Sequence, residues 1–229
     1  MKYIYSCLLA VAAVLLFFSC NKDDVSDEAI LNKKIQDIIP QQYLDSLKKI
    51  GLEINAGTTP PNVEGVYSIK PFLLDTSNFD DPYQPGYRFT DALVKLYEQS
   101  DEDFGIKLLG RNFLRERDTS IATAISGNGD HFTVYGKVKS TNSVGKYAVF
   151  AMLFTGVKES DGSIKGLKMG IINIDNSNGD ASFIPQGAGR IAYDADNTSE
   201  KESEEVFSFN REVILNKAGV SLSKSAGAR

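Results

Sequence analysis

Alternation of apolar and polar residues is clearest in HFTVYGKVKSTNSVGKYAVFAMLFTGV, which spans residues 131–157. In its first part, the apolar residues occupy alternate positions: Phe132, Val134 and Val138. This period of two predicts a strand with one face in a core and the other in water. Residues 147–157 are apolar on both faces, which is typical of a strand that is covered on both sides. We expect the inward face of that strand to carry Phe150, Met152 and Phe154.

The same period continues on both sides of this stretch. Further strands are predicted at residues 63–70, 104–108 and 164–174. Turn signals rich in glycine, asparagine and aspartate separate the strands, at residues 127–130, 161–162 and 178–179. The pattern therefore predicts eight or nine strands, most of them joined as sequential hairpins.

Two segments are harder to interpret. Thr90 and Asp91 resemble the cap of a helix, but the residues around them keep a period of two: Tyr87, Phe89, Leu93 and Tyr97. We therefore predict a strand over residues 90–98. The acidic tail after Tyr193 leads to residues 206–209, which would suit either a last strand or a closing helix.

The strands indicate a mainly β domain over residues 60–215. Many short strands without βαβ units form a sandwich or a barrel. Sequential hairpins favour an antiparallel up-and-down β-barrel, because closure removes exposed strand edges. A barrel of eight strands has room inside for packed side chains or for one small ligand.

A short helical hairpin is predicted before the barrel, over residues 29–56. Apolar residues recur there at helical spacing: Ile30, Leu31, Ile35, Ile38, Tyr43, Leu44, Leu47 and Ile50. Pro40 suits the first turn of a second helix, and Gly51 is a suitable end. We favour the interpretation that this apolar stripe covers an open end of the barrel. The alternative is an arm that docks on a partner.

The N-terminus has the pattern of an export signal. Lys2 precedes an apolar run, residues 8–18, which has the length of a secretory signal and is short for a membrane span. Residues 16–20, LFFSC, resemble the lipobox of bacterial lipoproteins, although Phe17 replaces the usual leucine. The resemblance implies that residues 1–19 are a signal peptide and that Cys20 is lipidated. An ordinary signal peptide with an incidental cysteine is the alternative.

Residues 20–28 are predicted to be the lipidated cysteine and a flexible tether, because they are polar and charged. Residues 22–24, Lys-Asp-Asp, resemble the export signal of Bacteroidota-type surface lipoproteins. The resemblance implies a protein that is lipid-anchored in the outer membrane and faces the outside of the cell. A periplasm-facing protein on the same spacer is the alternative.

Composition excludes several classes of function. The formal net charge is −5 and there is no long basic run, so nucleic acid is a poor candidate partner. With one histidine and two cysteines, neither a His-rich zinc site nor a cysteine framework can be built. Any Ser-His-Asp triad would have to use His131, which we interpret as an ordinary exposed histidine. We expect no enzymatic activity, no catalytic residue, no metal and no cofactor.

An acidic stretch at residues 194–205 is a candidate calcium-binding loop. It begins like a calcium loop and has Glu205 at the twelfth position. Ser199, however, stands where the loop needs glycine. The stretch is therefore not predicted to be a calcium site.

The order of helix and first strand resembles that of lipocalin-like (calycin-like) lipoproteins, in which a short helix precedes a strand bearing Gly-x-Trp. Here Gly65-Val66-Tyr67 takes that place, with tyrosine instead of tryptophan. Residues 60–67 and 129–135 also resemble uncharacterised secreted lipoproteins of this type. The resemblance covers most of residues 40–195; it implies the barrel and no assigned activity.

Aromatic residues at strand spacing suggest what the barrel holds. Five of them are the candidate ligand-lining residues: Tyr67, Phe104, Phe132, Phe150 and Phe154. Tyr87 and Phe89 could line the same cavity. A packed core is the alternative for the same residues. The leading hypothesis is non-enzymatic binding of a small apolar or amphipathic ligand close to the membrane. The alternatives are an accessory subunit that docks on an outer-membrane protein, and a hydrolase using carboxylates or His131.

Overall fold

The computed structural model describes residues 26–114 and 118–207. Two helices come first, α1 (Asp27–Ile38) and α2 (Gln41–Lys49). Twelve strands follow within the described residues: β1 (Thr58–Thr59), β2 (Gly65–Ile69), β3 (Phe72–Ser77), β4 (Ala92–Ser100), β5 (Gly105–Arg111), β6 (Asp118–Asn128), β7 (His131–Thr141), β8 (Tyr147–Lys158), β9 (Ile164–Asp175), β10 (Gly189–Asp194), β11 (Thr198–Ser199) and β12 (Lys201–Glu202). The prediction of a mainly β fold behind a helical hairpin is confirmed.

The strands form one sheet in the order β12-β2-β4-β5-β6-β7-β8-β9-β10-β3. Every neighbouring pair along this path is antiparallel, and β4 to β10 are joined in chain order. Off the path, β1 pairs in parallel with β6, and β11 pairs with β9. The up-and-down connectivity is therefore as predicted.

The sheet curls because β2, next to one edge of the sheet, and β3, at the other edge, follow each other in the chain. β2 pairs with β4 on one side and β3 pairs with β10 on the other, yet only Lys70 and Pro71 separate β2 from β3. At this corner the Lys70 backbone N–H donates to the carboxylate of Asp194, at the end of β10, at 3.1 Å. The result is an open, curled half-barrel that is consistent with a lipocalin-like barrel.

The inner face of the sheet holds the main core. Phe150, Met152 and Phe154 of β8 are at most 2% exposed and pack in this core, which confirms the predicted orientation of the strand. Their neighbours Ala151 and Leu153 lie on the outer face, in a second core shared with the helices. Both faces of β8 are thus covered, as its continuous apolar sequence predicts.

The helical hairpin covers the outer face of the sheet. Ser26 caps α1 by accepting the Ala29 backbone N–H, and Gly51, at a φ of 103°, ends α2 in the left-handed region. The apolar sides of α1 and α2 pack against residues of β6 to β10, with Leu47 fully buried. The expectation that this stripe covers an open end of the barrel is wrong, because the outward apolar residues of β8 and β9 already provide a face to cover.

The two ambiguous segments are resolved differently. Residues 92–100 form β4, as predicted, with a register shift between Tyr97 and Ser100. The acidic tail forms the short strands β11 and β12 and then a helical turn at residues 204–207. The predicted domain end at residue 215 lies outside the described residues.

Candidate ligand pocket

A cavity of about 210 Å³ opens at one end of the curled sheet. It lies between the inner face of the sheet and the loops that follow β3, β5 and β9. The residues that line it are Phe72, Phe89, Phe113, Leu114, Ser140, Phe150, Met169, Ile171, Ser182, Phe183, Ile184, Arg190 and Ala192. Most of them are apolar, as is usual for a small-molecule site.

The opposite end of the sheet is filled. Tyr67 and Phe132 are fully buried there, together with Ile164 and Leu167. The Tyr67 hydroxyl donates to the Val63 carbonyl at 3.0 Å, and burial raises the pKa of Tyr67 to about 12. Because these side chains fill their end of the sheet, the cavity lies at the other end.

The chain enters the described structure at this filled end. Ser26, at the start of α1, lines a groove together with Gly57 and Thr58, and α1 contacts β1. Thr58 pairs with Gly127 at the tip of the β6–β7 hairpin, which is the filled end of the sheet. Ser26 and the mouth of the cavity therefore lie at opposite ends of the sheet.

A chain of aromatic rings leads from the cavity to the surface. Inside, Phe113 meets Phe72 edge-on with ring centroids 5.7 Å apart. Phe72 contacts Phe89 at 5.6 Å, and Phe89 contacts Tyr87 at 5.2 Å. Tyr87 then stacks on Tyr83 at 4.2 Å, and these two residues are 43% and 37% exposed. The cavity is thus continuous with an exposed aromatic rim.

The loop that carries this rim, residues 78–91, is tied to the sheet at both ends. Asn78 donates to the Gly187 carbonyl at 2.9 Å and accepts the Gly189 backbone N–H at 2.7 Å. At the other end, the Phe89 backbone N–H donates to the Phe72 carbonyl at 2.9 Å. The rim is therefore a fixed part of the wall.

One ionisable residue, Arg190, is among the described residues that line the cavity. Its Nε and Nη2 donate to the two carboxylate oxygens of Asp81, at 2.5 and 2.9 Å. Asp81 also accepts the Ser77 hydroxyl at 2.6 Å and the Tyr83 backbone N–H at 3.1 Å. Burial raises the pKa of Asp81, but the hydrogen bonds from Arg190, Ser77 and Tyr83 outweigh it and hold the pKa below its ordinary value. The carboxylate is therefore charged, and each of its oxygens accepts two hydrogen bonds.

The five predicted lining residues are distributed over three places. Phe150 lines the cavity, and Phe154 lies just behind it, with its ring 5.2 Å from that of Phe113. Tyr67 and Phe132 belong to the filled end. Phe104 does not face the inside: it packs in the outer core beneath the helices, because it lies in the β4–β5 turn with a φ of 54°, outside the alternation of β5.

The residues that sequence reasoning missed come mainly from loops and from strands with weak patterns. Phe89, one of the further aromatic candidates, does line the cavity, whereas Phe113, Phe183 and Arg190 were not predicted. Their loops have no periodicity to show which side chains point inward. One signal was available: residues 79–89 hold four aromatic residues in a segment rich in turn formers, which is unusual for a solvated loop.

The alternative sites of the sequence analysis are not brought together. His131 is exposed and begins β7 at the filled end, away from the cavity. In residues 26–114 and 118–207, no three His, Cys, Asp or Glu side chains cluster as metal ligands would. Within the same ranges, no helix is both long and apolar enough to cross a membrane. The predicted signal peptide, Cys20 and the tether up to residue 25 lie outside the described residues.

Comparisons with protein-family models, with curated proteins and with solved structures find no match. The fold and the pocket are therefore the features that indicate a function. Together they define a class: an antiparallel half-barrel, filled at one end, with an aromatic pocket at the other.

Proposed function

We propose that the protein is a lipid-anchored envelope lipoprotein that binds a small apolar or amphipathic ligand in the pocket at the open end of its half-barrel. The observation that carries the proposal is the cavity of about 210 Å³, which is lined mostly by apolar side chains and is connected through contacting aromatic rings to an exposed aromatic rim. Apolar surface exposed in a concave site gains free energy when a ligand removes it from water. Among the described residues that line the pocket, no two form a nucleophile–base or acid–base pair, so we propose binding without chemistry.

The size of the cavity limits the ligand. A dry cavity of about 150 Å³ is sufficient to bind benzene. A cavity of about 210 Å³ accordingly suits one substituted ring or a short acyl chain, with any larger part of the ligand lying along Tyr83 and Tyr87. Long lipids would extend beyond it.

The lipidation of Cys20 and the location on the outer membrane, facing the outside of the cell, are part of this proposal. Their support is the sequence alone: the signal-like residues 1–19, the cysteine and the acidic spacer behind it. A single amino-acid change tests the anchor. The Cys20→Ala protein should lose the mass of its acyl chains and leave the membrane fraction.

The ligand-binding part is tested by native mass spectrometry on the chain from residue 20 onward, carrying Cys20→Ala. The protein is exposed to envelope lipid and culture-medium extracts, and we expect a discrete added mass that is lost on denaturation. Ala192→Leu serves as the matched control, because Ala192 lines the cavity and the larger side chain fills it. A bare mass for the unsubstituted pocket, or the same added mass in Ala192→Leu, would contradict the proposal.

A second candidate function is docking on an outer-membrane protein. The observation that favours it is the stacked and exposed pair of Tyr83 and Tyr87 at the rim, since tyrosine is enriched at protein interfaces. If docking is the function, Tyr83→Ser with Tyr87→Ser would abolish crosslinking to a membrane partner in whole cells. Ala192→Leu, which fills the cavity and leaves the rim in place, would then keep the crosslink.

A further inference from the structure

Arg190, which is paired with Asp81, forms a polar part of the pocket wall, and this part limits which ligands the pocket can accept. Arg190 faces the inside of the sheet, because Ala192, two residues further along β10, lies in the inner core and Ile191 lies in the outer one. Its guanidinium also lies 5.2 Å from the ring centroid of Phe79 and 5.3 Å from that of Tyr83. Two aromatic contacts and a two-point bond to Asp81 fix its orientation.

The cost of this arrangement suggests a role in recognition. The side chain of Asp81 is only 4% exposed and that of Arg190 is 20% exposed. A buried ion pair is often no more stabilising than a well-packed apolar pair of the same volume. An apolar pair would therefore hold the loop equally well, whereas Arg190 also brings hydrogen-bond donors to an otherwise apolar wall.

One nitrogen of Arg190 is left for a ligand. The bond to Asp81 uses Nε and Nη2, so Nη1 and its two N–H groups take no part in the pair. The guanidinium and the carboxylate together carry no net charge. A ligand carboxylate placed at Nη1 would lose its hydration, and the repulsion from Asp81 would offset the attraction of Arg190.

We propose that the pocket selects small ligands with an apolar body and one uncharged oxygen acceptor, such as a ketone, ester or amide carbonyl, which accepts a hydrogen bond from Arg190 Nη1. The proposal deepens the proposed function and rests on it. It specifies that a carboxylate and a hydrocarbon of the same size and shape both bind more weakly than the carbonyl compound.

The test uses three probes of similar size and shape: benzylacetone (a ketone), phenylpropanoate (a carboxylate) and isopentylbenzene (a hydrocarbon). Affinities for the chain from residue 20 onward, with Cys20→Ala, are measured by calorimetry at pH 7. We expect benzylacetone to bind at least tenfold more tightly than either of the other two. Equal or tighter binding of phenylpropanoate would overturn the inference while leaving the pocket function intact. Failure of all three probes to bind would overturn both.

Two variants test the role of Arg190. The double variant Arg190→Met with Asp81→Asn removes both charges without leaving one unpaired. The single side-chain oxygen of the asparagine still accepts the Tyr83 backbone N–H, and its NH2 group can donate to the Ser77 hydroxyl. We expect this double variant to bind benzylacetone as weakly as it binds isopentylbenzene. Its affinity for isopentylbenzene should stay within twofold of that of the unsubstituted pocket. The single variant Asp81→Asn leaves the charge of Arg190 uncompensated, so phenylpropanoate should gain at least tenfold relative to benzylacetone. An unchanged order of affinities in both variants would overturn the inference.

Discussion

At the scale of single residues, Asp194 is a buried carboxylic acid with a raised pKa. It is 3% exposed, accepts the Ser199 hydroxyl at 2.6 Å and holds the backbone of Lys70 at the corner between β2 and β3. Burial raises its pKa from 3.8 to about 6, the hydrogen bond from Ser199 opposes that rise, and the charge of Asp196 adds to it. The folded protein therefore holds this proton more tightly than the unfolded chain does.

The sign of the pH dependence follows from linkage. Because the pKa of Asp194 is higher in the folded state, its ionisation costs stability as the pH rises from about 4 to above 6. Asp194→Asn cannot ionise, so we expect the variant to gain about 1–2 kcal/mol relative to the wild type between pH 4 and pH 7. Urea unfolding at the two pH values measures the difference.

Asp175→Asn is the matched control for this prediction. Hydrogen bonds from the backbone and side chain of Ser177 lower the pKa of Asp175, so its variant should lose stability relative to the wild type over the same rise in pH. A difference between Asp194→Asn and the wild type that stays constant from pH 4 to pH 7 would refute the raised pKa.

At the scale of elements, the helical hairpin is a cover for the outer face and takes no part in the pocket. Leu47 of α2 is fully buried against this face. Close packing here also explains Gly170 of β9, since a Cβ at that position would lie 2.5 Å from a methyl carbon of Leu52. The sheet can hold the hairpin closely only because Gly170 has no side chain.

Leu47→Ala separates stability from binding. We expect it to lower the free energy of unfolding by about 2–5 kcal/mol, because it leaves a cavity between α2 and the sheet. The affinity of the folded protein for benzylacetone should stay within twofold, since the pocket lies on the other face. Lys48→Ala is the control, because Lys48 is exposed and its change should stay within about 0.5 kcal/mol. A tenfold loss of affinity in folded Leu47→Ala would show that the helices contribute to the site.

The sequence predicts the strands of this protein better than its pocket, for a physical reason. In β7 and β8 the side chains alternate between the inner and the outer face of the sheet, so the sequence alone predicts which residues face the core. Phe104 shows where that reasoning fails, because one turn residue with a positive φ changes the side to which it points. Arg190 shows the other failure: its inward orientation becomes meaningful only when Asp81, over a hundred residues away in sequence, lies beside it.

At the scale of the whole molecule, the position of Ser26 determines how the domain would be oriented relative to the bilayer if Cys20 is anchored. The six peptide units that join Cys20 to Ser26 span at most about 22 Å. An anchor at Cys20 therefore keeps the filled end of the sheet near the bilayer, because Ser26 lies at that end. The pocket then opens on the far side of the domain.

Labelling in vesicles tests this orientation. Single cysteines are placed at Asp161, in the exposed β8–β9 turn of the filled end, and at Val144, which is 75% exposed in the β7–β8 loop near the mouth. With Cys20 lipidated, a fluorophore in Asp161→Cys should be quenched more strongly by a quencher held at the membrane surface than one in Val144→Cys. Equal quenching, or the reverse order, would contradict the orientation.

If Cys20 is lipidated and the pocket binds a ligand as proposed, the placement of Ser26 opposite the mouth also determines where that ligand comes from. A pocket that opens away from the membrane would sample molecules dissolved in the surrounding medium and would have no direct route to lipids leaving the bilayer beneath it. Loading would then depend on the concentration of free cargo in bulk water. Delivery would require a receiver that approaches from the outside, or a second protein that reaches over the top of the domain.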